Sequence, residues 1–249
     1  KRIKEDYLRI LRYLRFFLIY SKKKHNPEIL KIIKRNIEGI SRLSKERLLD
    51  ELKKVLEPRI LIKILKDKNT LGLIKIIFPE LKYIDNFSKI NSQAKNFLNE
   101  LDFLFLLSTM IIDDTDNVDY FLYKYNISKK DQKRIKIIDE FYKGQKSIKT
   151  ITEKDMNRIL YYNGKQAVLD ILLFNLFRFK KITQNITDLI KLYKSKNIPV
   201  MPIKADLLIT KYKLKEGRNL GDKLKLIEKE WVNNNFEITD KEVESIVNN

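Results

Sequence analysis

The 249 residues contain no cysteine and a single histidine, His25. The first absence excludes disulfides and thiolate metal sites, and the second excludes a His-based metal cluster. His25, in the stretch YSKKKHNPE, reads as an exposed loop residue. Glycine and proline are sparse, 6 and 5 residues, so the chain has few turn signals of the kind that separate short strands. Long apolar runs are lacking too. The longest, LDFLFLLSTMII (Leu101 to Ile112), carries Asp102 and falls short of the roughly 20 residues of a membrane span, so it is expected as a buried core helix and no membrane partner is expected. No secretory leader is visible, and the chain begins on Lys1 instead of Met, which implies that an N-terminal portion precedes it. P-loop, GxGxxG and kinase-type motifs are all missing.

Apolar residues recurring at i, i+3 and i+4 predict an all-α fold. The first helix is expected from Arg2 to Tyr20 with Ile3, Tyr7, Ile10, Leu11, Leu14 and Leu18 on its buried side. A basic loop (Lys22 to Pro27), a helix from Glu28 to Glu38 and a third helix capped by Ser44 complete a small bundle over residues 1–57. Residues 58–195 read as a larger helical body. It has short helices closed by Pro79, longer ones over 87–112 and 128–143, and the acidic segment DDTDNVDY between those two. Next come a helix capped by Thr152 and stopped by Gly164, and helices over 165–179 and 183–194. Pro199 and Pro202 mark a linker, and residues 196–249 read as a small helical tail.

Formal charge is +19, from 52 Lys and Arg against 33 Asp and Glu, so a polyanion is the natural partner to expect. Asp114 and Asp116 have the spacing of a magnesium-binding pair. They lack a strand context, a third carboxylate and a glycine-rich phosphate cradle, and are read as a solvated loop or helix end. Phe141, Tyr142, Phe174, Phe177 and Phe179 fall at helical spacing and are assigned to the core. Tyr161 and Tyr162, flanked by Arg158 and Lys165, are the better candidates for stacking on unpaired bases. In KEDYLRILRYLRFF (Lys4 to Phe17), Asp6, Arg9, Arg12 and Arg15 recur every three residues. They therefore form one slowly winding ridge on the first helix, facing away from its buried side, with Glu5 and Arg9 placed as an i,i+4 ion pair.

That opening stretch resembles the nucleotide-recognition motif of bacterial CCA-adding enzymes and the related poly(A) polymerases, ED-x-LR-x-LR-x-x-RF. Three further landmarks follow in the order of that family: ISRLSKERLLDELKKVL resembles its neck segment, IIFPEL the next landmark, and PIKADLL with GRNLGDKLKLIEKEWVNNNF its tail. Tyr7 stands where the family often has Pro, and Ala205 where it often has Gly. The resemblance implies a neck (1–57), body (58–195) and tail (196–249) of a cytoplasmic tRNA nucleotidyltransferase without its catalytic head. Asp6, Arg9, Arg12 and Arg15 would bind the nucleotide and Glu5 would support them. CTP and ATP are the implied substrates, Mg2+ is implied in the missing head and tRNA is the implied partner. Lys211, Lys213, Lys215, Arg218 and Lys223, the densest basic run, would grip the RNA. These residues do not separate CCA addition from poly(A) synthesis, and a noncatalytic helical RNA-binding module remains the alternative from another class.

Overall fold

The computed structural model describes residues 2–143, 151–179 and 185–248. Among these residues there are helices and no strands. In chain order they are α1 (Arg2–Glu5), α2 (Leu8–Tyr20), α3 (Pro27–Asn36), α4 (Lys45–Val55), α5 (Pro58–Lys66), α6 (Lys68–Ile77), α7 (Ser92–Phe97) and α8 (Phe103–Ile111). They continue with α9 (Asn117–Lys124), α10 (Lys129–Tyr142), α11 (Glu153–Asn163), α12 (Lys165–Arg178), α13 (Ile186–Ser195), α14 (Ala205–Tyr212), α15 (Arg218–Asn233) and α16 (Asp240–Asn248). The chain forms two compact units, Lys1–Ile148 with Asp170–Ile186, and Lys149–Leu169 with Thr187–Asn249. α12 contributes its first turn to the second of these units and the remainder to the first.

In the first unit, α2 buries Leu8, Ile10, Leu11 and Leu14 and packs against α4 and α5. Each such side chain contributes roughly 1.5–3 kcal/mol on leaving water. Local caps set the ends of the neighbouring helices. Ser44 Oγ accepts the Arg47 N–H at the start of α4, Pro58 occupies the first turn of α5, and Asp67 Oδ1 accepts the Thr70 N–H (2.7 Å) at the start of α6. The apolar run Leu101 to Ile112 does form a buried helix, α8, which packs on α10. Arg134 of α10 ties two elements together. Its Nε and Nη2 donate to the two oxygens of the buried Asp170 (2.7 and 2.9 Å), and its Nη1 donates to Asp102, which caps α8.

Several sequence expectations are corrected in this unit. The helix expected over 87–112 is broken into two 3-10 turns, α7 and α8, because Asn91 and Asp102 each turn a side-chain oxygen onto a following N–H and restart the helix. The acidic segment contains the first turns of α9. Ahead of that helix, Asp113 Oδ1 accepts the backbone N–H and the hydroxyl of Thr115, and Asp114 takes a left-handed φ of 65° in the turn. His25 is buried. Its ring lies 3.6 Å from that of Phe17, Nδ1 meets the Tyr13 hydroxyl (3.1 Å) and Nε2 meets the Thr70 hydroxyl (3.0 Å) and Asp67 (3.5 Å). Its flanking lysines are exposed, and composition alone does not distinguish the two cases.

The second unit has a core of Leu208, Leu220, Ile227, Val243 and Val247, drawn from α14, α15 and α16. Thr152 caps α11 as expected, accepting the Asp155 N–H, and Gly164 ends it at a φ of 83° that favours glycine. The helix expected from Thr183 to Lys194 is observed as Ile186–Ser195, and Thr183 itself lies outside the described residues.

Candidate functional site

The candidate site lies where α1 stops and α2 begins. Instead of one helix from Arg2 to Tyr20, the chain breaks at Asp6 and Tyr7. Asp6 Oδ1 accepts the Leu8 N–H (3.1 Å), and its backbone carbonyl accepts the Arg9 N–H (3.2 Å). Asp6 therefore initiates α2 and does not ride on it. Gly39 makes room for this corner, since a Cβ there would run into the Tyr7 ring. From α4, Arg47 Nη2 donates to both carboxylate oxygens of Asp6, at 3.1 and 3.0 Å. Burial pushes the Asp6 carboxyl up, but the Leu8 N–H and the Arg47 charge outweigh it, with a smaller pull from Arg12, and hold it below its ordinary value. A carboxylate has about four acceptor positions; three are occupied here, so one on Oδ2 is open to a further donor.

The arginines do not share one environment. Arg9 is exposed one turn beyond Asp6, and Glu5 is exposed at the end of α1. Arg12 is half exposed and lies 3.9 Å from Glu51 of α4. Arg15 has turned inward and donates from Nε to Glu51 at 2.6 Å. Glu51 is 1% exposed and also meets Lys54 at 3.8 Å, so three cations surround one buried carboxylate. Arg15 thus has a fixed structural partner, contrary to the expectation that it faces solvent with the rest of the ridge. Sequence reasoning misses Arg47 and Glu51 as members of the site. Both lie in the segment SKERLLDEL, within the neck-like stretch of the motif resemblance, and the unbalanced arginines of α2 are the signal that points to them.

The basic run of the tail is divided in the same way. Lys211 pairs with Asp240 (3.2 Å), Arg218 lies 3.8 Å from Asp222, and Lys223 Nζ donates to the Ile246 carbonyl (2.8 Å) at the end of α16. Lys213 and Lys215 are exposed, and Lys213 has a left-handed φ of 58°. Of the aromatic candidates, Tyr161 is half-buried, packs edge-on against Trp231 and donates to Glu228 (2.6 Å), while Tyr162 is exposed. Tyr142, Phe174 and Phe177 are buried, as their helical spacing indicates. Among the described residues, no group of three or more His, Asp or Glu side chains could hold a metal ion. None of their helices is long and apolar enough to cross a membrane.

Residues 25–84, which carry α3 to α6, match the family model described as the probable RNA and SrmB-binding site of polymerase A. The chain is also similar to vertebrate proteins named CCA tRNA nucleotidyltransferase 1, mitochondrial. It is 35% identical to the human protein over 102 residues, covering 39% of this chain and 23% of that protein. Identity to the mouse protein is 36% over 103 residues with the same coverage, and to the zebrafish (Danio rerio) protein 49% over 57 residues, covering 22% of this chain and 13% of that protein. The chain thus spans about a quarter or less of the length of these curated relatives, whose mitochondrial naming differs from the bacterial enzymes of the motif resemblance.

Proposed function

We propose that this chain is the base-selecting and tRNA-binding part of a tRNA nucleotidyltransferase that adds C, A or both to tRNA 3′ ends. The observation that carries the reading is the corner at Asp6. A carboxylate is held ionised there by Arg47 and the Leu8 N–H with one acceptor position open, and the exposed Arg9 follows three residues later in the first turn of α2. Cytosine and adenine each present an exocyclic amine beside an acceptor ring nitrogen. An acceptor and a guanidinium side by side match that edge, whereas uracil and guanine present a carbonyl and an N–H and are repelled. Similarity to CCA tRNA nucleotidyltransferases and to an RNA-binding segment supports tRNA as the partner.

Among the described residues no group of three or more His, Asp or Glu could hold a metal ion, and in this reading the metal-dependent transfer of the nucleotidyl group falls to residues outside them. On the same reading CTP and ATP meet Asp6, Arg9 and Arg12, Glu5 supports them, and Arg15, paired with Glu51, fixes α2 against α4. The test uses the full-length protein carrying Asp6→Ala and measures incorporation of all four nucleotides beside tRNA affinity. Loss of CTP and ATP preference at near-normal tRNA affinity is expected, and full preference in the variant would refute base selection at Asp6. The description of the matched family model favours poly(A) polymerase as a second reading. Sequencing the 3′ ends made by the full-length protein separates them, since repeated A addition marks the polymerase and termination after CCA, C or A marks the tRNA enzyme.

A further inference from the structure

The exposed residues of α2 are Arg9, Arg12, Phe16 and Tyr20 and no others. At 100° per residue these positions stay within about 80° of one another, so they form a single stripe running about 16 Å along the helix. Two cations occupy its first half and two aromatic rings its second. Exposed rings are costly to maintain, and a pair of them on a face that is otherwise cationic calls for an occupant that is both planar and anionic.

The rings are ordered. The Arg15 guanidinium lies 4.3 Å from the Phe16 ring centre, Phe16 stacks on Tyr20 with centroids 6.0 Å apart and planes inclined by 30°, and Tyr20 is 77% exposed. Arg15 is itself fixed by the buried Glu51, so the stack is anchored at its inner end and open at Tyr20. A separation of 6.0 Å is too small to admit a base between the two rings, since stacked planes need about 3.4 Å on each side. Beyond Tyr20 the chain continues into exposed Lys22, Lys23 and Lys24, and Lys63 of α5 donates to the Leu18 carbonyl (2.9 Å) beneath the end of the helix. The sequence of α2 contains no Asp or Glu.

We propose that Tyr20, backed by Phe16 and Arg15, is a stacking platform for an unpaired base of an RNA single strand. The phosphates of that strand are held by Lys22, Lys23 and Lys24, just beyond Tyr20. The occupant is RNA and not a protein, because an apolar protein surface would leave these three exposed cations facing it unpaired, whereas a single strand neutralises them and covers the rings with the same chain. The proposal rests on the reading above only in taking RNA as the partner. It concerns the strand, not the selected nucleotide.

The experiment measures fluorescence anisotropy of two labelled RNA hairpins, one with an unpaired 3′ extension and one blunt, titrated with the 249-residue chain. Tyr20→Ala and Phe16→Ala are each expected to weaken binding of the extended hairpin by about fivefold or more, to leave the blunt hairpin nearly unchanged, and to leave the salt slope unaltered, because stacking releases no counterions. Tyr20→Trp should keep the affinity and show quenching of its indole on binding, against a buried Trp231 that is the chain's other tryptophan in that variant. Wild-type affinity in both alanine variants, or an unquenched Tyr20→Trp, overturns the platform while leaving the RNA reading intact. A selective loss of CTP or ATP binding with unchanged hairpin binding also overturns it, by moving the rings to the nucleotide. If the wild-type chain binds neither hairpin, the RNA reading itself falls and the platform with it.

Discussion

Arg47 Nη2 sits 3.0 Å from one carboxylate oxygen of Asp6 and 3.1 Å from the other, and so joins the start of α4 to the start of α2. Both side chains are partly solvated, so the pair contributes little to stability, about 0.2–1 kcal/mol. Its consequence is orientation. Arg47→Ala leaves Asp6 anchored only by the Leu8 N–H and free to rotate. The expected result in the full-length protein is reduced discrimination against UTP and GTP with a near-normal unfolding midpoint in urea. A large fall in midpoint with unchanged discrimination would show that the pair is merely structural.

Gly39 reaches the same corner from the other side. Since a Cβ there would collide with the Tyr7 ring, Gly39→Ala must displace the residue next to Asp6. Overpacking of this kind costs about 1–3 kcal/mol. Denaturant unfolding should register that loss, and Gly39→Ala combined with Tyr7→Ala should recover part of it. A double variant no more stable than Gly39→Ala alone would rule out the collision as the cause.

Glu51 is a different kind of residue from Asp6. It is 1% exposed, with Arg15 at 2.6 Å and the half-exposed Arg12 and Lys54 just inside 4 Å, so removing its charge strands Arg15, the one of the three that is largely desolvated. Breaking a buried pair on one side costs about 3–5 kcal/mol. Glu51→Gln should therefore lower stability far more than Arg47→Ala does. Equal effects in the two variants would mean that water reaches Glu51.

The contrast between these residues shows what the sequence could and could not convey. Periodicity gave the all-helical class, and the Ser44, Thr152 and Gly164 signals lay where the helix ends are, because caps are local chemistry. The corner at Asp6 escaped because an aspartate reads equally well as a helical surface residue or as an N-terminal acceptor, and only Gly39 and Arg47, distant in sequence, decide between them. The inward turn of Arg15 escaped for the same reason, since its partner lies 36 residues away. His25 was misread because its neighbours are lysines, while its burial comes from Phe17, Tyr13 and Thr70 on α2 and α6.

His25 leads to a pH prediction. Burial lowers its basicity below the ordinary value of 6.5, and the pull of Asp67 only partly opposes that. The folded state therefore binds fewer protons at this ring than the unfolded state does. Stability should be fully present above pH 6.5 and should fall as the pH drops through the lowered value. The carboxylate of Asp6, also lowered, acts in a separate and more acidic window below 3.8. Because the chain has one histidine, a single imidazole resonance followed by NMR reports the titration directly. A midpoint at or above 6.5 contradicts the burial argument.

The tail yields the last prediction. Lys223 donates to the final turn of α16, where orphan carbonyls need a partner, and a hydrogen bond from a charged group contributes about 1.5–3 kcal/mol. Lys223→Ala should thus destabilise the second unit, and any loss of RNA binding in that variant is secondary. Lys213 and Lys215 are exposed, and their charge is available to phosphates. Lys213 occupies a left-handed position at the end of α14, so Asn, which tolerates that conformation, is a better neutral replacement than Ala. Lys213→Asn with Lys215→Gln should keep the unfolding midpoint and flatten the slope of log affinity against log salt by about 0.7–0.9 for each phosphate that is no longer neutralised. If the slope is unchanged and tRNA affinity is full, these lysines face water alone, and any RNA contact of the tail would need Arg218 and Lys211, whose partners Asp222 and Asp240 would first have to let go.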